Sequence, residues 1–337
     1  MIDQSIQQSD FRSLQREVFR RLRIIYRGDD LISELSGLLN LQRAAVYKRA
    51  SGETMIKFDE LVMIAVHFNF SLESIFNSSK EQVSFKFDLL GRRPETYQDI
   101  FLYLKDVFNS FRNHADNTLI YSAKHLPFMH YLRYPLLFEI HMHLWNNTSF
   151  NKVTTGYRES NIRKLTGEDI EVMKYLNTEY EKHPMIEIWG PNILEDLYSK
   201  VRFLVLSNII DNTQYLESIT SNIKLLINHL KEITTNQAAA KLKVYINELE
   251  LGTPMLFYES HEETKCFLIH QEPNFVYTHQ KTFCEYSKNL LSNIINYSKI
   301  ISEEGAKDRL KYFAKVDKRF ENFTVEIQKV FDFAQLQ

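Results

Sequence analysis

Between Gln7 and Tyr26 the apolar residues Phe11, Leu14, Val18, Leu22 and Ile25 recur in steps of three and four, with arginines filling the other positions. That spacing predicts an amphipathic helix. Asp29 and Asp30 can cap a second helix over 31–39, since a short acidic side chain accepts hydrogen bonds from unpaired N–H groups at a helix start. A third helix should open near Gln42 and close before Gly52, a residue suited to leaving a helix. A fourth is predicted over about 58–68, and a shorter fifth after Ser71.

Past Ser78 the pattern changes. Val83, Phe85 and Phe87 alternate as in a strand. Helical spacing then returns with Ile100, Leu104, Val107 and Phe111, and further helices are predicted at about 131–146, 167–182, 192–211, 213–233 and 236–249. Aromatic and β-branched runs between Pro254 and His279, split by polar HEE and QEPN, predict a three-stranded antiparallel meander. Helices over about 281–301 and 304–333 complete the chain. The expected fold is therefore mostly α: a five-helix domain at 1–78, and a large helical domain at 79–337 carrying a small β-meander at about 254–279.

Composition adds two constraints. The 337 residues carry 24 Phe and 18 Tyr but only 9 Gly and 7 Pro, which suits packed helices and disfavours glycine-rich phosphate loops. The net charge of −2 is unevenly spread: from Phe11 to Ala50 nine Lys or Arg face four acids, a local +5 that leaves −7 elsewhere. A basic segment on an acidic body suits a polyanionic partner. The polar N-terminus lacks the apolar centre of a signal peptide, and no stretch has the length of a membrane span, so a cytoplasmic protein is expected.

The segment LSGLLNLQRAAVYKRASGETMIKFDELVMIAVHFNFSLESIF, Leu35 to Phe76, brings these observations together. It resembles the phage-repressor-like (XRE) helix-turn-helix family without a gap: Leu35-Ser36 stand at its helix-two pair, Leu39, Leu41 and Val46 at its core positions, and Gly52 at its closing glycine. Leu61, Ile64, Ala65 and Phe68 match its fourth helix, and Phe70-Ser71-Leu72 with Ile75 its end. The match covers about an eighth of the chain. The resemblance implies a transcriptional regulator whose third helix enters the major groove of double-stranded DNA. Gln42 and Arg43 would read bases, Ala44 and Tyr47 would project beside them, and Lys48, Arg49, Lys57 and some of the first-helix arginines would meet phosphates. The chain departs from the family pattern at Leu31 or Ile32, Ala50 and Ile56.

No G-x-S-x-G, P-loop, Rossmann glycine pattern or paired carboxylates occurs, so no enzyme, cofactor or metal is expected. His125, His130, His141 and His143 crowd around Glu139 without metal-ligand spacing, and read as core and surface residues. Cys266 and Cys284 read as buried apolar side chains. Leu216, Ile219, Ile223, Leu226 and Leu230 form a heptad-like run, read first as core and second as a dimer seam. Lys311, Lys315 and Lys318 line one face of a basic helix, read as solvated. A homodimer joined after Ser78, with an effector read by the larger domain, is expected. The alternatives are a protein-interaction module reusing the helix-turn-helix fold and an enzyme with an appended DNA-targeting domain.

Overall fold

The computed structural model describes residues 8–26, 28, 30–68, 83–88, 96–111, 117–150, 162, 164–235, 242–249 and 252–336. The chain divides into two compact units, Met1–Ser84 and Phe85–Gln337.

The first unit holds α1 (Gln8–Ile25), α2 (Leu31–Leu39), α3 (Arg43–Ser51) and α4 (Phe58–His67). Val18, Phe19 and Leu22 of α1 close over Ile32 and Leu35 of α2, Val46 of α3 and Ile64 of α4, and this small core orients the short helices. Asp30 caps α2 by accepting the Ser33 N–H at 3.0 Å. Asn40 ends that helix in the left-handed region at φ 51, and Gln42, extended, opens α3. Gly52 closes α3 at φ 80, where a side-chain-bearing residue would be strained. The helix expected after Ser71 lies outside the described residues.

The second unit departs from the expected helical bundle. Its elements are β1 (Lys86–Asp88), α5 (Tyr97–Ser110), β2 (Thr118–Ala123), a 3-10 helix (Phe128–Arg133), α6 (Pro135–Phe150), α7 (Gly167–Lys182) and β3 (Met185–Trp189). There follow α8 (Glu195–Leu206), α9 (Thr213–Thr235), β4 (Leu242–Ile246), β5 (Met255–Glu259), β6 (Thr264–Gln271), β7 (Asn274–Thr278), α10 (Lys281–Asn296), β8 (Lys299–Ile300) and α11 (Ala306–Ala334). The strands form one eight-stranded mixed sheet in the order β1-β7-β6-β5-β2-β3-β4-β8. β2 runs parallel to β3 and β3 to β4, while the other neighbours are antiparallel.

This corrects the mostly-α assignment: the second unit is a mixed α/β fold. The three meander strands stand where expected, but they are three of the eight strands of a large mixed sheet rather than a small separate one. β4 occupies part of the helix predicted at 236–249, and the helix predicted to reach 301 stops at Asn296, giving way to β8.

Leu119, Tyr121 and Ala123 of β2 join the large core with α5, α6, α8, α9 and α11, while Ile120 between them joins α10 on the opposite face. A strand buried on both faces is apolar throughout and shows no alternation, which hides it from a periodicity reading. Leu216, Ile219, Ile223, Leu226 and Leu230 are each at most 2% exposed, so this run is interior to the unit and supplies no dimer seam. Among the described residues no helix is long and apolar enough to cross a membrane.

Candidate nucleic-acid interface

Helix α3 is held in place by contacts scattered along the chain. Val46 points into the core, and Gln42, Arg43, Ala44, Tyr47 and Lys48 are exposed together on the outer side. Arg43 Nη1 lies 2.6 Å from Asp30 Oδ2, the carboxylate whose other oxygen caps α2. One side chain thus ties the start of α2 to the start of α3, and the Arg43 guanidinium, followed by the Ser33 N–H, holds the Asp30 carboxyl below its usual range. Both partners are about half exposed, so water and salt screen the pair and a competing acceptor can displace it at small cost. Lys48 Nζ lies 3.3 Å from Glu53 on the open surface. Lys57 is exposed at the N-terminal end of α4.

Arg49 behaves differently from the expectation. It is buried, and its Nε and Nη2 donate to the two carboxylate oxygens of Glu60 at 2.8 Å each, while Nη1 donates to the Ala45 carbonyl at 3.2 Å. Glu60 Oε2 also accepts the Lys57 N–H at 3.0 Å, closing the first turn of α4. The guanidinium beside Glu60 keeps that carboxyl below its usual value in spite of burial. Arg49 is therefore a bidentate brace between α3 and α4, and leaves the set of expected phosphate contacts.

Gln15 of α1, which carried no functional reading in the sequence, is the second brace. Its Nε2 donates to the carbonyls of Arg49 at 2.6 Å and Thr54 at 2.8 Å, and its Oε1 accepts the Ile56 N–H at 2.8 Å. These bonds span 34 to 41 residues and pin the exit of α3 to α1. On the outer side of α1, Arg12, Arg16 and Arg23 are exposed. Arg20 and Arg21 instead clasp Glu17, whose carboxyl is pushed down to about 2, first by Arg20.

A second surface feature of this unit is apolar. Phe58, Val62 and Val66, four residues apart on α4, are 79%, 38% and 76% exposed.

In the second unit three of the four crowded histidines take separate partners. His130 faces the buried carboxylate of Glu187 at 3.1 Å, His141 Nδ1 lies 3.0 Å from Lys200 Nζ, and His143 Nε2 lies 3.1 Å from Asn147. Glu139 accepts the Leu165 N–H and pairs with Lys164. Among the described residues no three His, Cys, Asp or Glu gather as a metal site. Glu187 also accepts from Trp189 Nε1 at 2.5 Å and from the Tyr180 hydroxyl. Burial pushes its carboxyl up, but His130 and these donors outweigh it and hold it below its usual value. Cys266 and Cys284 are buried free thiols, and Lys311, Lys315 and Lys318 are exposed on α11.

No protein-family model, no curated protein and no solved structure matches the chain.

Proposed function

We propose that the protein is a sequence-specific DNA-binding transcriptional regulator of the phage-repressor-like (XRE) type, in which the first turn of α3 enters the major groove. The observation that carries this reading is the exposed outer side of α3, where Gln42, Arg43, Ala44, Tyr47 and Lys48 stand together on a helix fixed from behind by Gln15 and by the Arg49–Glu60 pair. Arg43 reads guanine through O6 and N7, exchanging Asp30 for the base, and Gln42 suits adenine. Lys48 and Lys57, with Arg12 and Arg16 of α1, supply sequence-independent attraction to phosphates.

Pairing of two copies through the second unit and control by an effector bound there belong to the same proposal, because a single reading helix covers only a few base pairs. The pairing surface is not the α9 run, which is interior. A second reading, in which the first unit docks on another protein, is favoured by the exposed Phe58, Val62 and Val66 stripe. Site selection from random duplexes tests the first reading. Arg43→Ala should relax the preference at one base pair and cost about 1–3 kcal/mol on the selected site. An unchanged selected sequence refutes the assignment of Arg43.

A further inference from the structure

Two cavities of the second unit differ in how their polar groups are used. The larger, about 610 Å³, is lined by Tyr121, His141, Asp196, Lys200 and Glu272, whose hydrogen bonds go to one another. The smaller, about 210 Å³, lies among the 3-10 helix, α7, α9 and the starts of β3 and β4. An apolar cavity of about 150 Å³ can hold benzene, so this one has room for a substituted ring. Tyr180 of α7, Met185 of β3, Ile233 of α9 and Leu242 of β4 give it apolar walls.

Two imidazoles line it with unused nitrogens. His130 and His229 are 5% and 9% exposed. Nε2 of His130 faces the two oxygens of Glu187 at 3.2 and 3.1 Å. That carboxylate also accepts from Tyr180 and Trp189, so the proton between the pair belongs to Nε2, and the ring is held by that edge. On the opposite edge, Nδ1 has no hydrogen-bond partner among the described residues. His229 has none for either nitrogen, and the Tyr134 ring stands against it at 6.4 Å. Burial, followed by Arg133 and His130, pushes His229 down to about 4, so near neutrality it presents one N–H and one lone pair.

A buried nitrogen without a partner costs stability, and a ligand that completes both imidazoles recovers it. Counting donors and acceptors selects that ligand. A hydroxyl has one O–H to give and two lone pairs to receive with, so it can donate to one imidazole and accept from the other, whichever nitrogens carry protons. An ether or a carboxylate only accepts, and an ammonium only donates. Charge favours neither ion: Arg133 and Glu181 lie 3.6 Å apart, each about half exposed, and Glu232 is exposed to water. The Tyr180 ring and the Met185 thioether suit an aromatic body.

We infer that this cavity binds a small phenol, its hydroxyl set between His130 Nδ1 and His229 and its ring laid against Tyr180, Met185, Ile233 and Leu242. The inference deepens the effector part of the proposal above and rests on it for a biological role. Its test involves no DNA, so either can fail alone.

Isothermal titration of the full chain with p-cresol tests this, with 4-methylanisole as the methylated control and benzoate and benzylamine as the charged ones. p-Cresol should bind at about 1 mM or tighter, in keeping with its size. The ether keeps the ring, loses the O–H and should bind about tenfold more weakly. Neither ion should bind at millimolar concentration. His229→Phe fills the same space without nitrogens: it should weaken p-cresol about fivefold and bring phenol and ether to similar affinity, which a loss of packing alone would not do. Leu242→Trp fills the cavity and should abolish binding, whereas Phe203→Ala, in the larger cavity, should leave it unchanged. His229→Phe keeps the test readable if Leu242→Trp misfolds. The inference is overturned by p-cresol that does not bind at millimolar concentration, by an ether or ion that binds as tightly, by a phenol-to-ether ratio unchanged in His229→Phe, or by binding that is lost in Phe203→Ala.

Discussion

Replacing Gln15 by Met keeps the volume of a buried side chain but removes all three of its hydrogen bonds. The three backbone groups left behind fare differently. The Arg49 carbonyl retains the Gly52 N–H at 3.0 Å, and Thr54 is exposed, so its carbonyl can turn to water. The Ile56 N–H is half-buried and loses its acceptor. About 1–2 kcal/mol for that orphaned donor, and about 0.5 kcal/mol for each of the other two bonds, gives a loss of about 2–3 kcal/mol. Such a loss is a large fraction of the stability of a small domain. The assay is native-state amide exchange followed by mass spectrometry on the full chain, reading peptides from α1, α3 and α4. Exchange there should speed up about 30- to 150-fold, while peptides of β2 and β3 remain as in the unsubstituted protein. Protection of α3 that changes less than threefold would refute the view that Gln15 pins the exit of this helix.

Two further substitutions probe other parts of the account. Gly52→Val should cost about 1–3 kcal/mol, because φ 80 disfavours a β-branched residue whereas the neighbouring atoms, at 3.5 Å or more from an added Cβ, leave room for it; unchanged α3 protection by amide exchange would contradict this. Glu187→Leu leaves the Tyr180 hydroxyl, Trp189 Nε1 and His130 without their buried acceptor and should destabilise the second unit by about 3 kcal/mol in urea unfolding, a loss below about 1 kcal/mol being incompatible with the network described.

How much of this was legible depended on whether a signal was local. The helices of the first unit announce themselves by an apolar stripe, and α2 and α3 by Asp30 and Gly52 at their ends, all within a few residues of the elements they define. Gln15 and the Arg49–Glu60 pair could not be found that way, since a polar residue on an amphipathic helix gives no sign that its partner lies 34 or more residues downstream. Arg49 was assigned to phosphates because its charge and place in α3 suggest a surface, yet Glu60, eleven positions away, draws it inward.

In the second unit the antiparallel strands β5, β6 and β7 could be read from their turns. The parallel strands β2, β3 and β4 could not, because TLIYSA and MIEIW are short runs packed on both faces, LKVYI is a short run broken by the exposed Lys243, and all three lack turn partners in the sequence. Without the sheet, Tyr121, His141, Asp196, Lys200 and Glu272 have no visible relation to one another. Pairing β2 with β5, and β5 with β6, brings the ends of distant segments to one cavity.

The central claim is that the outer side of α3 meets duplex DNA, and the salt dependence of duplex affinity tests it most directly. With Lys48, Lys57, Arg12 and Arg16 exposed on the first unit, about three to four phosphates should be neutralised per copy. Log affinity against log salt should then fall with a slope of about −3 to −4 per copy, and Lys48→Ala should reduce its magnitude by about 1 while weakening all sequences alike. A slope near zero, or one that Lys48→Ala leaves untouched, would contradict the account.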